Sequence, residues 1–164
     1  EISACLVGSE MCIRDRLKTD KEEDADELFQ QHIEAQCKRL RILGFTGTPI
    51  IRGNLNAMDK SLLPSLQTVC TEILNNIAKH GKPGAFAFIL SVGPDAVRIF
   101  ASNLYNAAIN SAPENHYGTA LIQDFAQQHN GTMTINSENE EWSLSLTIPL
   151  AHQVKLMFSP TEKL

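Results

Sequence analysis

Three stretches of the chain repeat their apolar residues at helical spacing, and five shorter ones read as strands. Ala25, Phe29, Ile33, Leu40 and Leu43 share one face of a predicted helix over 25–43, with Gln36 among them and Gly44 as its stop. A second helix runs from an N-cap at Ser61 to His80, with Leu62, Leu66, Val69, Ile73 and Ile77 as its stripe and Pro64 in its first turn. A third spans 118–129 and stops at Asn130 and Gly131. Strands are predicted over 45–55, where Pro49 implies an edge or an interruption, and as two hairpins, 85–92 with 96–101 and 132–137 with 142–149. Residues 102–117, rich in Asn, Ala and Ser, read as a long loop. Helices alternating with paired antiparallel strands predict an α+β fold, a two-layer sandwich with a mixed, mostly antiparallel sheet and helices on one face.

Composition narrows the class. The chain has 164 residues, 43% hydrophobic and 20% charged, which fits one globular domain with short appendages. A net charge of −5 gives no basic footprint, so nucleic acid is not an expected partner. No apolar run approaches the roughly 18–20 residues of a membrane span. The four cysteines form no C-x-x-C pair, which removes a zinc ribbon or a thioredoxin-like site and fits a reducing compartment. Cys37 and Cys70 fall on helices and read as small buried hydrophobes. Residues 5–16, C-L-V-G-S-E-M-C-I-R-D-R, resemble translated sequencing-adapter read-through. The expected division is therefore an artefact over 1–16, a charged linker over 17–24, the domain over 25–150 and a tail over 151–164.

Candidate chemistry concentrates at the end of the second helix, T-E-I-L-N-N-I-A-K-H. Offsets of four and seven place Glu72, Asn76 and Lys79 on one side, with Asn75 pointing away. A carboxylate, an amide and a cation in a column suit a magnesium polyphosphate: Glu72 to orient or deprotonate a hydroxyl, Asn76 as a neutral hard ligand, Lys79 and His80 for phosphate oxygens. The plain alternative is a solvated face whose Lys79 and His80 complement the helix C-terminus.

The surrounding phrase L-P-S-L-Q-T-V-C-T-E-I-L-N-N-I-A-K-H resembles the N-box helix of sensor histidine kinase catalytic domains, of the GHKL (Hsp90-like) ATPases, with its core E-x-x-x-N-x-x-K-H. It is most similar to the branch partnered by NarL-like response regulators. G-T-A-L-I-Q-D-F-A-Q-Q-H-N-G-T-M-T-I resembles that family's later glycine box and helix, and the closing T-I-P-L its last strand. The resemblance covers about 29–150 and implies the Bergerat ATP-binding fold, with ATP and Mg²⁺ as ligands. It implies Glu72 as general base, Asn76 as magnesium ligand, and Lys79 and His80 beside the phosphates. Residues 102–117 become the ATP lid, and backbone amides of Gly118, Thr119, Ala120 and Leu121 meet phosphate oxygens at a helix N-terminus. For Gly118 the plain alternative is a helix-entry turn.

Departures from the pattern matter. The family's D-x-G-x-G is S-N-L-Y-N here. Asn103 stands either for the adenine-reading Asp, as a neutral acceptor, or as a strand-end turn residue. On the first reading, Asn103→Asp is expected to tighten adenine nucleotides. Leu104 and Tyr105 replace glycines, Ala120 replaces the second glycine of G-x-G-L, and Glu140–Ser143 occupy a last glycine box. These changes predict weakened turnover on a retained fold. His32 is followed by Ile33 rather than an acidic residue and reads as an ordinary helix histidine; His116 and His129 read as lid and helix-end residues.

The expected activity is protein histidine kinase: the γ-phosphoryl of Mg·ATP moves to a histidine on a separate dimerisation segment, and a response regulator follows. The full-length protein is expected to be a homodimer with this domain on the cytoplasmic side, with or without a membrane anchor. The rival readings are an anti-sigma-factor serine kinase and a degenerate, non-catalytic GHKL binding module.

Overall fold

The computed structural model describes residues 25–105 and 117–150. Along them run α1 (residues 25–42), β1 (Pro49–Arg52), a 3-10 turn (Leu55–Ala57), α2 (Leu62–His80), β2 (Gly81–Val92), β3 (Ala96–Tyr105), α3 (Tyr117–Gln128), β4 (Thr132–Glu138) and β5 (Glu141–Pro149). The expected artefact (1–16), linker (17–24) and tail (151–164) lie outside the described residues, as do His116 and the 106–116 part of the expected lid.

The α+β sandwich forms as expected. Its sheet has the order β1-β2-β3-β5-β4, with β1 parallel to β2 and the other neighbours antiparallel. Alternation along the strands buries one face: Phe88, Leu90, Val97, Ile99, Ala101, Leu144, Leu146 and Ile148 are all at most 2% exposed. The row Ile50–Ile89–Phe100–Ser145 crosses four strands on the opposite face. Pro49 opens the edge strand β1, where a missing N–H costs least. The strand expected over 45–55 shrinks to four residues and a 3-10 turn.

Helix α1 buries Phe29, Ile33, Cys37 and Leu40. Leu43, expected on that face, is 55% exposed. The reason is a Schellman stop: Phe45 N–H bonds Leu40 O at 3.0 Å and Gly44 N–H bonds Arg41 O at 3.1 Å, with Gly44 at φ +92°. Helix α2 buries the whole predicted stripe plus Cys70 and Leu74. Ser61 is not a side-chain cap; its N–H instead bonds Asp59 Oδ1 at 2.9 Å. Burial pushes the Cys37 thiol up to about 11 and the Cys70 thiol higher still, so both behave as the inert small hydrophobes expected.

Two departures shape the upper end of the sheet. Helix α2 passes into β2 with no intervening residue, and Gly81 N–H still bonds Ile77 O. The β2–β3 register then jumps from Gly81↔Tyr105 to Phe86↔Asn103, so Lys82–Ala85 bulge outward. That bulge is fastened to the chain after α1 by Thr46 N–H to Gly84 O (2.8 Å) and Phe86 N–H to Thr46 O (2.9 Å). Strand β3 also outruns its expected end at Ala101, because Ser102–Leu104 pair with Ser143–Glu141 of β5. None of the described helices is long and apolar enough to cross a membrane.

Ile73 is fully buried at the centre of α2, whereas Leu104 is 42% exposed. Ile73→Ala is expected to cost about 2–5 kcal/mol, and Leu104→Ala about 0.5 kcal/mol or less. Urea denaturation checks both: the midpoint falls for the first, with an unchanged slope, and barely moves for the second.

Candidate functional site

The site begins with the rotation of α2. Burying Leu66, Ile73 and Ile77 turns Glu72, Asn76 and Lys79 to the border of the apolar face, as the spacing predicts. Glu72 is held with 21% of its side chain exposed, and Lys79 Nζ lies 3.9 Å from Glu72 Oε1 with 63% exposed. That long, open ion pair contributes little to stability and leaves Lys79 able to turn towards a ligand. His80 is exposed at the helix end, about 100° further round than Lys79. The same angle separates Asn75 from Asn76.

Helix α3 brings its first turn onto this column. A methyl at Gly118 would stand 2.1 Å from Glu72 Oε1 and 3.0 Å from Asn76 Oδ1, so a side chain there would have to push the Glu72 carboxylate aside. Gly118 is therefore a close-approach residue, and the N-terminal end of α3 lies against a carboxylate and an amide oxygen. Thr119 follows half-buried. Ala120 and Leu121 turn away from the column. With Ser65, Thr68 and Val69 of α2, and Asp124 and Phe125 of α3, they line an open cleft of about 450 Å³.

A second open cleft, about 420 Å³, lies between α1 and α2 and includes His32, Gln67, Thr71 and Glu72. His32 Nε2 is 2.8 Å from Thr71 Oγ1, and Thr71 donates its hydroxyl to Gln67 O at 2.9 Å. The Thr71 proton being committed, His32 is the donor through Nε2–H. His32 is thus a cross-helix tie and not a bystander; its partner is 39 positions away, and no local pattern signals it.

Asn103 is not a turn residue. It sits within β3, paired to Phe86 on one side and Trp142 on the other, and is 4% exposed. Among the described residues it is the buried polar side chain. Its Nδ2 donates to Leu104 O at 2.6 Å, which leaves Oδ1 as the atom able to accept from a ligand. This bond reverses the expectation for Asn103→Asp. A carboxylate there would press an oxygen against the Leu104 carbonyl, and a flipped amide would do the same. Gly81 backs the amide, since a methyl on it would be 2.5 Å from Nδ2. From Glu72 to Gly81 the helix climbs about 13 Å. Glu72, Asn76, Lys79 and Gly118 thus form one polar strip along α2, and Asn103 stands at the helix's C-terminal end, beside Gly81.

Among the described residues no three His, Cys, Asp or Glu side chains gather as a metal cage. A cation here would have Glu72 and Asn76 as hard oxygen neighbours and would rely on ligand oxygens for the rest.

No protein-family model matches the chain, and no curated protein matches it either. Solved structures do. The catalytic domain of histidine kinase ThkA, in a nucleotide-free form, is similar at a TM-score of 0.55 and 12% identity, over 76% of this chain and 92% of that one. The blue-light activated histidine kinase EL346 of Erythrobacter litoralis gives 0.56 and 12%, over 85% of this chain and 51% of that one. Histidine kinase AdeS of Acinetobacter baumannii gives 0.55 and 9%, over 78% and 64%. The chain has the fold of histidine kinase catalytic domains.

Proposed function

We propose that the chain is the ATP-binding catalytic domain of a sensor histidine kinase, with Mg·ATP lying along the polar strip of α2. The observation that carries this reading is the meeting of Glu72, Asn76 and Gly118, which puts a carboxylate, a hard neutral oxygen and a helix N-terminus at one point. In this reading Glu72 orients the attacking group and receives its proton. Asn76 Oδ1 faces the magnesium, Lys79 and His80 turn to phosphate oxygens, and the backbone amides of Gly118, Thr119, Ala120 and Leu121 cradle the polyphosphate. Asn103 Oδ1 accepts from the adenine amino group. Bound Mg²⁺ would neutralise charge on the phosphate oxygens; the chain's own part is positioning and electrostatics. The acceptor is a histidine on a dimerisation segment, as in a two-component homodimer that hands the phosphoryl group to a response regulator of the NarL-like class. The domain works on the cytoplasmic side of the full-length protein.

A second reading, the non-catalytic nucleotide-binding module, is favoured by one observation. Strand pairing continues through Leu104↔Glu141, where the family pattern carries glycines, and stiffens the entry to the lid. Nucleotide binding without phosphoryl transfer to a supplied acceptor segment would select it.

Titration with a fluorescent ATP analogue tests the site. Asn76→Ala is expected to weaken Mg-dependent binding about tenfold or more, and Asn75→Ala to leave it within about twofold, because the two amides face different ways. Equal effects would remove the assigned face. Incubated alone with radiolabelled Mg·ATP, the chain is expected to form no acid-labile, base-stable phosphate; its appearance on His32 would contradict the assigned role of that residue.

Asn103→Asp is expected to fail to tighten ADP and to destabilise the fold by about 1–3 kcal/mol near neutral pH. A carboxyl buried there has a raised folded-state pKa. Its stabilising, protonated form is therefore present below the unfolded value and is lost as pH rises, so the deficit shrinks towards about pH 4. Denaturation of both proteins across that range checks the sign, and a deficit that grows on acidification would refute it.

A further inference from the structure

We propose that Gly81 is a positioning residue for nucleobase recognition, acting through Asn103. The proposal rests on the reading of Asn103 as the base acceptor and adds the group that holds it in place.

Gly81 is not required by its backbone conformation. Its φ of −75° and ψ of 155° are open to any residue. It is required by space. A methyl at Gly81 would lie 2.5 Å from Asn103 Nδ2, 2.8 Å from Phe45 Cε1 and 2.4 Å from Ile77 O. The Asn103 nitrogen cannot retreat, since Leu104 O holds it at 2.6 Å on another side. Nor can the residue move as a whole, because β3 is paired at Asn103 to both Phe86 and Trp142. The remaining freedom is rotation of the amide, which breaks the Nδ2 bond and swings Oδ1 away from the ligand. Gly81 and the Leu104 carbonyl thus form a jaw that sets the direction of one acceptor. The direct run of α2 into β2 explains why the jaw is placed so closely. Gly81 is at once the last link of the helix, through its N–H to Ile77 O, and the β2 partner of Tyr105.

A double-mutant cycle with Gly81→Ala and Asn103→Ser tests this, read by calorimetric affinity for ADP, by affinity for Mg·tripolyphosphate as a probe without a base, and by the thermal midpoint. Serine shortens the side chain and removes the Nδ2 contact, while the contacts with Ile77 O and Phe45 Cε1 stay in both backgrounds and cancel in the cycle. Asn103→Ser is expected to weaken ADP about tenfold and leave tripolyphosphate unchanged. If it leaves ADP binding intact, the base assignment fails, and the role of Gly81 falls with it. Gly81→Ala is expected to weaken ADP by a similar factor and to spare tripolyphosphate. In the Asn103→Ser background it is expected to add no more than about twofold. Additive losses, or an equal loss of tripolyphosphate, would show that Gly81 serves the helix end and not Asn103. Should Gly81→Ala alone not fold, recovery of a wild-type midpoint in the double variant supports the jaw. Failure of both would assign the cost to the Ile77 carbonyl and overturn the proposal.

Discussion

The rotation of α2 about its own axis decides most of what this chain presents to a ligand. Leu66, Val69, Cys70, Ile73, Leu74 and Ile77 are each at most 2% exposed against the sheet and its neighbouring helices. Burying a large apolar side chain is worth about 1.5–3 kcal/mol. An exposed ion pair such as Glu72–Lys79 contributes about 1 kcal/mol or less. The apolar side wins by a wide margin, so the polar column has no say in its own direction. Glu72, Asn76 and Lys79 stand at the rim of the core because Ile73, Leu74 and Ile77 between them are inside it. Changes in that core would tilt the column and the chemistry together.

Two further constraints turn a polar helix edge into a site, and both are close approaches made over a glycine. Gly118 lets the first turn of α3 lie on Glu72 and Asn76, and Gly81 lets β3 carry a buried amide beside the helix end. Neither has a positive φ, so it is room and not conformational freedom that asks for glycine. The strand makes the same point in reverse. At 103 and 104 the binary pattern inverts, with an amide inside and a leucine outside. Such an inversion works against folding unless the polar group finds a partner, which the Leu104 carbonyl supplies for one end of the amide.

The elements themselves were legible in the sequence, because each rests on periodicity within a dozen or so residues. The stripe of α2, its relation to Glu72, Asn76 and Lys79, the two hairpins and the glycine stop of α1 all follow from local spacing. Reading failed where partners lay far away in the chain. Leu43 left the buried face because Gly44 stopped the helix one residue short. Ser102–Tyr105 looked like loop because their polar inside and apolar outside contradict a strand, and only pairing with β5 makes them one. The tie between His32 and Thr71, the seat of Gly118 on Glu72 and the jaw around Asn103 each join segments tens of residues apart. Local spacing determines which face of an element is apolar. Which neighbour that face meets, and how near, is set by packing of the whole sheet and its helices, and no short stretch of sequence carries that distance.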